Sequence, residues 1–240
     1  MEKINISNLT LPDVDFKETL GCGRCGCCFR QGSDKAIKIM HDKLDKESSK
    51  SIEALAGIKN KTFVFPETLV YEDDYLYGYL MPFIDGLLLS DNTDQIKLKV
   101  LGEALQQVYA DIKTISDMGI TGTDIAPRNM ILNKIGEIKI IDTDLFIRKP
   151  HFDSNKTYRN NIITFNDVML WYIMGRHSKE REELTGLILT KYMSNLSEEE
   201  LLTSPKLKYF ISILCDYIFS KTKDENITID KAQEYVRTRK

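Results

Sequence analysis

In V-L-G-E-A-L-Q-Q-V-Y-A-D-I the apolar residues Val100, Leu101, Ala104, Leu105, Val108 and Ile112 recur at helical spacing. They form one face, and the pattern predicts a helix over residues 95–118. A second helical pattern runs over residues 42–59, and a third, apolar on most sides, over 209–219. Residues 228–236 read as a final amphipathic helix, and the acidic run 198–200 as a solvated helix start, where carboxylates suit the dipole. Elsewhere the signal is strand-like. C-C-F-R, a polar turn at 31–35 and A-I-K-I-M predict two antiparallel strands, residues 75–84 predict another, and I-L-N turns at 134–136 into a strand over 138–141. Short strands and one helix thus fill residues 4–80. Residues 94–235 are mostly helical apart from the hairpin at 129–141, so the expected class is α+β.

Composition narrows this modestly. At 240 residues, 42% hydrophobic and 29% charged, the chain can bury a substantial core and suits one unit over residues 1–240. A net charge of −3 argues against general nucleic-acid binding. Arg237, Arg239 and Lys240 read as a solvated tail. No apolar run approaches the length needed to span a bilayer, and the first residues lack a signal-peptide block, so no membrane partner and a cytoplasmic location are expected.

The chemistry concentrates in T-D-I-A-P-R-N-M-I-L (123–132), followed by I-K-I-I-D (138–142). Asp124 and Asn129 can share one irregular loop, and the hairpin returns Asp142 to the same end. An amide and a carboxylate suit Mg²⁺, leaving room for waters and phosphates, while a free carboxylate beside them can accept a hydroxyl proton. The same residues also suit an ordinary hairpin with solvated turn carboxylates.

Upstream, Gly21, Gly23 and Gly26 make G-x-G-x-x-G, but strands follow where a dinucleotide fingerprint needs a helix. A glycine-rich hairpin lets backbone N–H groups approach phosphates, and Lys38 on the returning strand offers a point charge. Its neighbours Ala36, Ile37, Ile39 and Met40 are apolar, which calls for a charge partner.

With both blocks in view, the chain resembles the protein kinase superfamily over roughly residues 15–235. The resemblance implies a two-lobed fold: a small antiparallel-sheet lobe at about 1–81, a hinge at 82–90 and a mostly helical lobe at 91–240. It implies ATP and Mg²⁺ as cofactors. Asp124 would deprotonate the acceptor hydroxyl, and Asn129 and Asp142 would hold Mg²⁺. Lys38, paired with Glu53 or its competitor Glu47, would orient the α- and β-phosphates. Y-L-M-P-F-I-D-G (79–86) is similar to the hinge: Met81 would guard the back of the adenine pocket, Pro82 would lend its carbonyl and Ile84 its N–H. Cys28, Ala36 and Ile131 would sandwich the ring. Arg128 matches a place where some kinases put a catalytic-loop arginine, and equally an exposed loop charge. N-D-V-M-L-W-Y-I-M-G (166–175) is similar to the buried helix whose aspartate, here Asp167, accepts hydrogen bonds from the catalytic loop. A helix N-cap near Asn166 fits as well.

Departures shape the functional expectation. Gly122-Thr123-Asp124 stands where most protein kinases have His-Arg-Asp, and Asp142-Thr143-Asp144 where they have Asp-Phe-Gly. Gly57, Gly122 and Thr143 take the places of bulky residues that stack into a switchable spine, so that switch is not expected here. No Ala-Pro-Glu lies between Asp142 and Asp167, which reduces the peptide-selecting loop. Three functions remain open. One is a kinase with a Ser, Thr or Tyr hydroxyl on a protein as acceptor. The second is a kinase of small hydroxyl compounds, of the aminoglycoside or choline type. The third is a non-catalytic nucleotide-binding regulator.

Four of the five cysteines, Cys22, Cys25, Cys27 and Cys28, fall within the glycine loop. Adjacent Cys27 and Cys28 point to opposite faces of a strand, which hinders one closed metal site. The open readings are a small apolar lining over the nucleotide, a metal site and reversible oxidation. Without a secretion signal, reduced thiols and no structural disulfide are expected, with Cys215 in the core.

Overall fold

A computed structural model of the chain describes residues 2–5, 14–176 and 178–239. Its class is α+β. The strands β1 (Glu2–Asn5), β2 (Val14–Cys22), β3 (Gly26–Gln31), β4 (Lys35–Met40), β5 (Thr68–Glu72) and β6 (Tyr75–Pro82) form a six-stranded sheet in the order β1-β5-β6-β4-β3-β2. All neighbours in it are antiparallel except β1 and β5.

One helix, α1 (Lys46–Leu55), packs on this sheet. It is shorter than its 42–59 pattern because Asp45 caps it, its carboxylate accepting from the backbone N–H of Glu47 and Ser48. Ile52 of α1 joins Ala36, Met40, Leu69, Leu76, Tyr79 and Met81 in a buried apolar layer. On the opposite face, Ile37 and Val70 are the buried apolar pair among the described residues.

The rest is helical: α2 (Leu98–Asp117), α3 (Ser154–Met174), α4 (Lys179–Tyr192), α5 (Glu198–Leu202), α6 (Leu207–Thr222) and α7 (Ile229–Thr238). α2 buries Leu101, Ala104, Leu105, Val108 and Ile112 as its spacing predicts, while Val100 is half-buried. α3 begins at its cap Asp153, so Asn166 lies mid-helix and is no N-cap. Between the halves run short strands: β7 (Gly86–Leu88), β8 (Ile120–Thr121), β9 (Met130–Asn133), β10 (Ile138–Ile140) and β11 (Ile147–Arg148). The β9–β10 hairpin forms with Leu132 opposite Ile138, close to its expected bounds, and β7 pairs along β9.

An extended segment before β5, without a periodic signal of its own, ties the halves together. Phe63 bridges to Ile140, with Ile140 N–H donating to the Thr62 carbonyl at 2.7 Å and Val64 N–H to the Ile140 carbonyl at 2.9 Å. Thr62 in turn donates from its backbone N–H and hydroxyl to the buried carboxylate of Asp111 on α2, at 3.0 and 2.7 Å. Phe63, Phe65 and Phe146 then meet ring to ring, with centroids 5.8–6.4 Å apart. This cluster occupies the space Gly122 leaves: a Cβ there would come within 2.8 Å of Ile125 and 3.2 Å of Phe146.

Candidate functional site

Register builds the roof of the site. Across β3, β4 and β6, Cys28, Lys38 and Tyr79 are direct partners, so their side chains share one sheet face. Below them, the hairpin and the turn at 143–145 present Asn129, Asp142 and Asp144. Between lies a cavity of about 800 Å³.

Its lining gathers nearly all the residues singled out from sequence. Gly21, Gly23 and Gly26 with Cys28, Ala36 and Lys38 line one side; Met81, Pro82 and Ile84 line the inner end; Asp124, Arg128, Asn129, Ile131 and Asp142 line the floor. Leu20, Phe83, Leu88, Ile141, Asp144 and Leu145 also line it, and none of them takes a site role from the sequence, although Phe83, Ile141 and Asp144 lie within the quoted motifs. For Ile141 and Asp144, adjacency to Asp142 is the signal that could have found them.

Glu53 is the exception. The Lys38–Glu53 pair is not formed: the Glu53 carboxylate accepts from the Tyr71 hydroxyl at 2.6 Å and lies 4.0 Å from the Lys3 ammonium. Glu47 sits exposed in the first turn of α1, where it accompanies the cap. Both carboxylates bonded to the Lys38 ammonium come from the other half of the molecule. They are Asp142 and, at 2.7 Å, Asp144.

One buried ammonium thus faces two carboxylates, and the titration behaviour follows. Burial alone would push Lys38 down, but Asp144 and Asp142 together hold it well above the usual lysine value. Burial raises Asp144; Lys38 offsets part of this and the negative charge of Asp142 adds to it. The two shifts look opposed if the site is treated as one ion pair. They agree once it is counted as two anions sharing one cation, since the inner carboxylate is then under-neutralised. Tyr79, fully buried beside them, is pushed well up by burial and by the same carboxylates. Burial also raises the Cys28 thiol to about 11, with Lys38 partly countering, so it stays protonated at neutral pH.

Asp124 lies on the cavity floor beside Asn129. Its Oδ1 accepts from Arg128 at 2.5 Å and its Oδ2 from the Asn129 amide at 2.9 Å. Arg128 is thus paired with Asp124 while its side chain stays exposed. The same Asn129 NH₂ also reaches the Asp124 carbonyl at 3.0 Å, which leaves the side-chain oxygen of Asn129 for other ligands. The loop is held from behind by Asn161: its Oδ1 accepts from Gly122 N–H at 3.0 Å, and its Nδ2 donates to Ser116 Oγ and the Ile120 carbonyl, both at 2.9 Å. Asp167, expected in that role, is exposed. It lies six residues beyond Asn161, which is more than one turn along α3 and off the side that faces the loop.

The glycine loop departs from expectation twice. Cys22 and Cys27 sit opposite each other across β2 and β3 and are joined in a disulfide, whereas Cys25, Cys28 and Cys215 are free. The expectation of thiols without a disulfide therefore fails for this pair. Register shifts in β2 between Asp15 and Thr19 and between Thr19 and Gly21 bring Cys22 opposite Cys27, and composition alone does not show such bulges. Gly26, moreover, is a packing glycine: a Cβ would fall 2.2 Å from the Ile39 carbonyl oxygen, while at Gly21 and Gly23 it would meet nothing within 4 Å.

Gly26→Ala is accordingly expected to destabilise the fold by about 1–3 kcal/mol. Gly23→Ala, by contrast, should unfold like the parent while weakening any phosphate held by that turn. Urea melts of the two variants, with nucleotide titrations of the second, check both halves.

Among the described residues no three His, Cys, Asp or Glu side chains converge as a metal-holding group. A divalent ion here would draw on Asp142 with the Asn129 oxygen and on phosphates, and the under-neutralised carboxylates fit such a cation. No helix among the described residues is long and apolar enough to cross a membrane. No protein-family model and no curated protein matches the chain.

Proposed function

We propose that the chain is an ATP-dependent phosphotransferase of protein-kinase-like, two-lobed design. In this reading the sheet half (about 1–81) and the helical half (91–240) close on MgATP, joined by a hinge at 82–90. The observation that carries it is the convergence of Lys38, Asp124, Asn129 and Asp142, drawn from 104 residues of sequence separation, on one cavity with an apolar inner end.

Met81, Ala36, Cys28 and Ile131 offer the flat, small, apolar surfaces that an adenine ring requires. The glycine turn would lie over the phosphates, with Lys38 contributing its charge from above. Bound Mg²⁺, held by Asp142 and Asn129, would neutralise charge on the phosphate oxygens. Asp124 would take the proton of the acceptor hydroxyl as its oxygen forms a bond to the γ-phosphorus and the bond to the β–γ bridging oxygen breaks, leaving ADP. Arg128 and Asn129 orient that carboxylate, one on each oxygen.

The first-choice acceptor is a Ser, Thr or Tyr hydroxyl on a protein, with the cytoplasm as the compartment. There the Cys22–Cys27 disulfide would stand in exchange with the thiol pool. A small hydroxyl compound is the second reading. It is favoured by the brevity of the connection after Asp142, since α3 begins at Ser154 and residues 143–153 leave no room for a long peptide-docking loop.

The test is incubation of the purified chain with Mg²⁺ and γ-labelled ATP, alone and with lysate. Label in protein bands selects the first acceptor, and label only in small molecules selects the second. ATP binding without any transfer selects the non-catalytic regulator. No binding and no transfer ends the proposal.

A further inference from the structure

We infer that Asp144, and not a glutamate of α1, is the positioning residue that holds Lys38 in place when Asp142 turns to a cation. This rests on the phosphotransferase reading for its purpose, though the ion pair itself is a matter of geometry.

Three observations converge on Asp144. The side chains of Lys38 and Asp144 are 6% and 3% exposed, whereas that of Asp142 is 37% exposed. The outer carboxylate can therefore swing toward incoming ligands, and the inner one cannot. The turn carrying Asp144 is also pinned on both sides: the Thr143 hydroxyl donates to the Val64 carbonyl at 2.8 Å, and Phe146 is fully buried in the aromatic cluster. Finally, Glu53 is engaged by Tyr71, so α1 supplies no partner for Lys38.

The remaining Asp144 oxygen, Oδ1, is buried and makes no hydrogen bond of full geometry, although the buried Tyr79 hydroxyl interacts with the same carboxylate. Such a group is costly unless a cation compensates it, and Lys38 is the cation present. With MgATP bound, one carboxylate would serve the ion while the other keeps the ammonium aimed at the phosphates. A lysine tethered from the helical half also couples closure of the cavity to assembly of the site. A glutamate on α1 would tether it within the sheet half alone.

The experiment compares Asp144→Asn, Asp144→Glu, Asp142→Asn and Glu53→Gln in the full chain. Lys38 reactivity toward a trace of acetic anhydride at pH 9 is read by peptide mass spectrometry. Asp144→Asn should raise it at least tenfold and Asp144→Glu should restore much of the protection, with Glu53→Gln staying within twofold of the parent. Equal or greater sensitivity to Glu53→Gln overturns the assignment. Should Asp144→Asn alone fail to fold, adding Lys38→Met restores folding if the two act as a pair, and continued failure counts against it.

MgATP titration supplies the functional arm: Asp144→Asn should weaken binding about tenfold and Glu53→Gln by less than twofold. A parent chain that binds no MgATP sinks the phosphotransferase reading alone. The labelling comparison then still decides, one way or the other, which carboxylate holds Lys38.

Discussion

Asp124→Asn is expected to lower phosphoryl transfer by about 10²–10⁴-fold, the range associated with loss of a positioned general base. ATP affinity should stay within about threefold of the parent. The substitution keeps the shape of the side chain and an acceptor oxygen for Arg128, which now donates at 2.5 Å. It removes the group that can carry away the hydroxyl proton. Because the side chain lies on the cavity floor at a loop and not in the apolar core, folding should be unaffected. Single-turnover transfer and equilibrium binding of MgATP separate the two quantities. A rate reduced by less than tenfold would sink the assignment of Asp124 as base. A large joint loss of rate and binding would instead mark it as a ligand-holding residue.

Stability should fall steeply at alkaline pH through two groups of the same cluster. Lys38 and Tyr79 both keep their protons in the folded state beyond the free values of 10.5 and 10.0. Above those values the unfolded chain binds fewer protons than the folded one, so raising the pH favours unfolding. The stabilising contribution is thus complete below about pH 10. Above it, the loss can reach about 1.4 kcal/mol per pH unit for each group. Tyr79→Phe and Lys38→Met should each flatten the alkaline limb of a denaturant midpoint measured from pH 8 to 11.5. Retention of the full parental slope in both variants would show that the cluster does not govern it. Asp144 acts in the opposite sense at the acid end. Its raised folded value means that protonation as the pH falls relieves a burial cost, so the cluster should not be the origin of acid unfolding.

What could be read from the sequence follows physical range. The α+β class and the stripe on α2 are legible because regular elements bury one face, and a period needs only neighbours to be seen. α3 shows why this fails: Thr157, Asn161 and Asn166 are buried polar residues, and the partners of the two asparagines lie outside the helix. They interrupt the apolar pattern, and only the second half of the helix announces itself. The two-residue strands β8 and β11 and the segment around Phe63 are too short to carry a period at all. In the site, the motifs at strand ends are local and therefore legible, including Asp124, Asn129 and Asp142. The partner of Lys38 is another matter, because Asp144 lies 106 residues away and only the fold decides which carboxylate arrives first. The disulfide is hidden for a similar reason: the irregular register of β2 sets which thiols face each other.

The crossing at Phe63 has a mechanical meaning. The chain passes between the halves once after Pro82, and the Thr62–Val64 segment is independently bolted to the hairpin by its hydrogen bonds to Ile140. The Thr143 hydroxyl on the Val64 carbonyl and the Lys38–Asp144 pair add ties on the cavity side, so the glycine turn can lift away from the hairpin only if that buried ion pair parts.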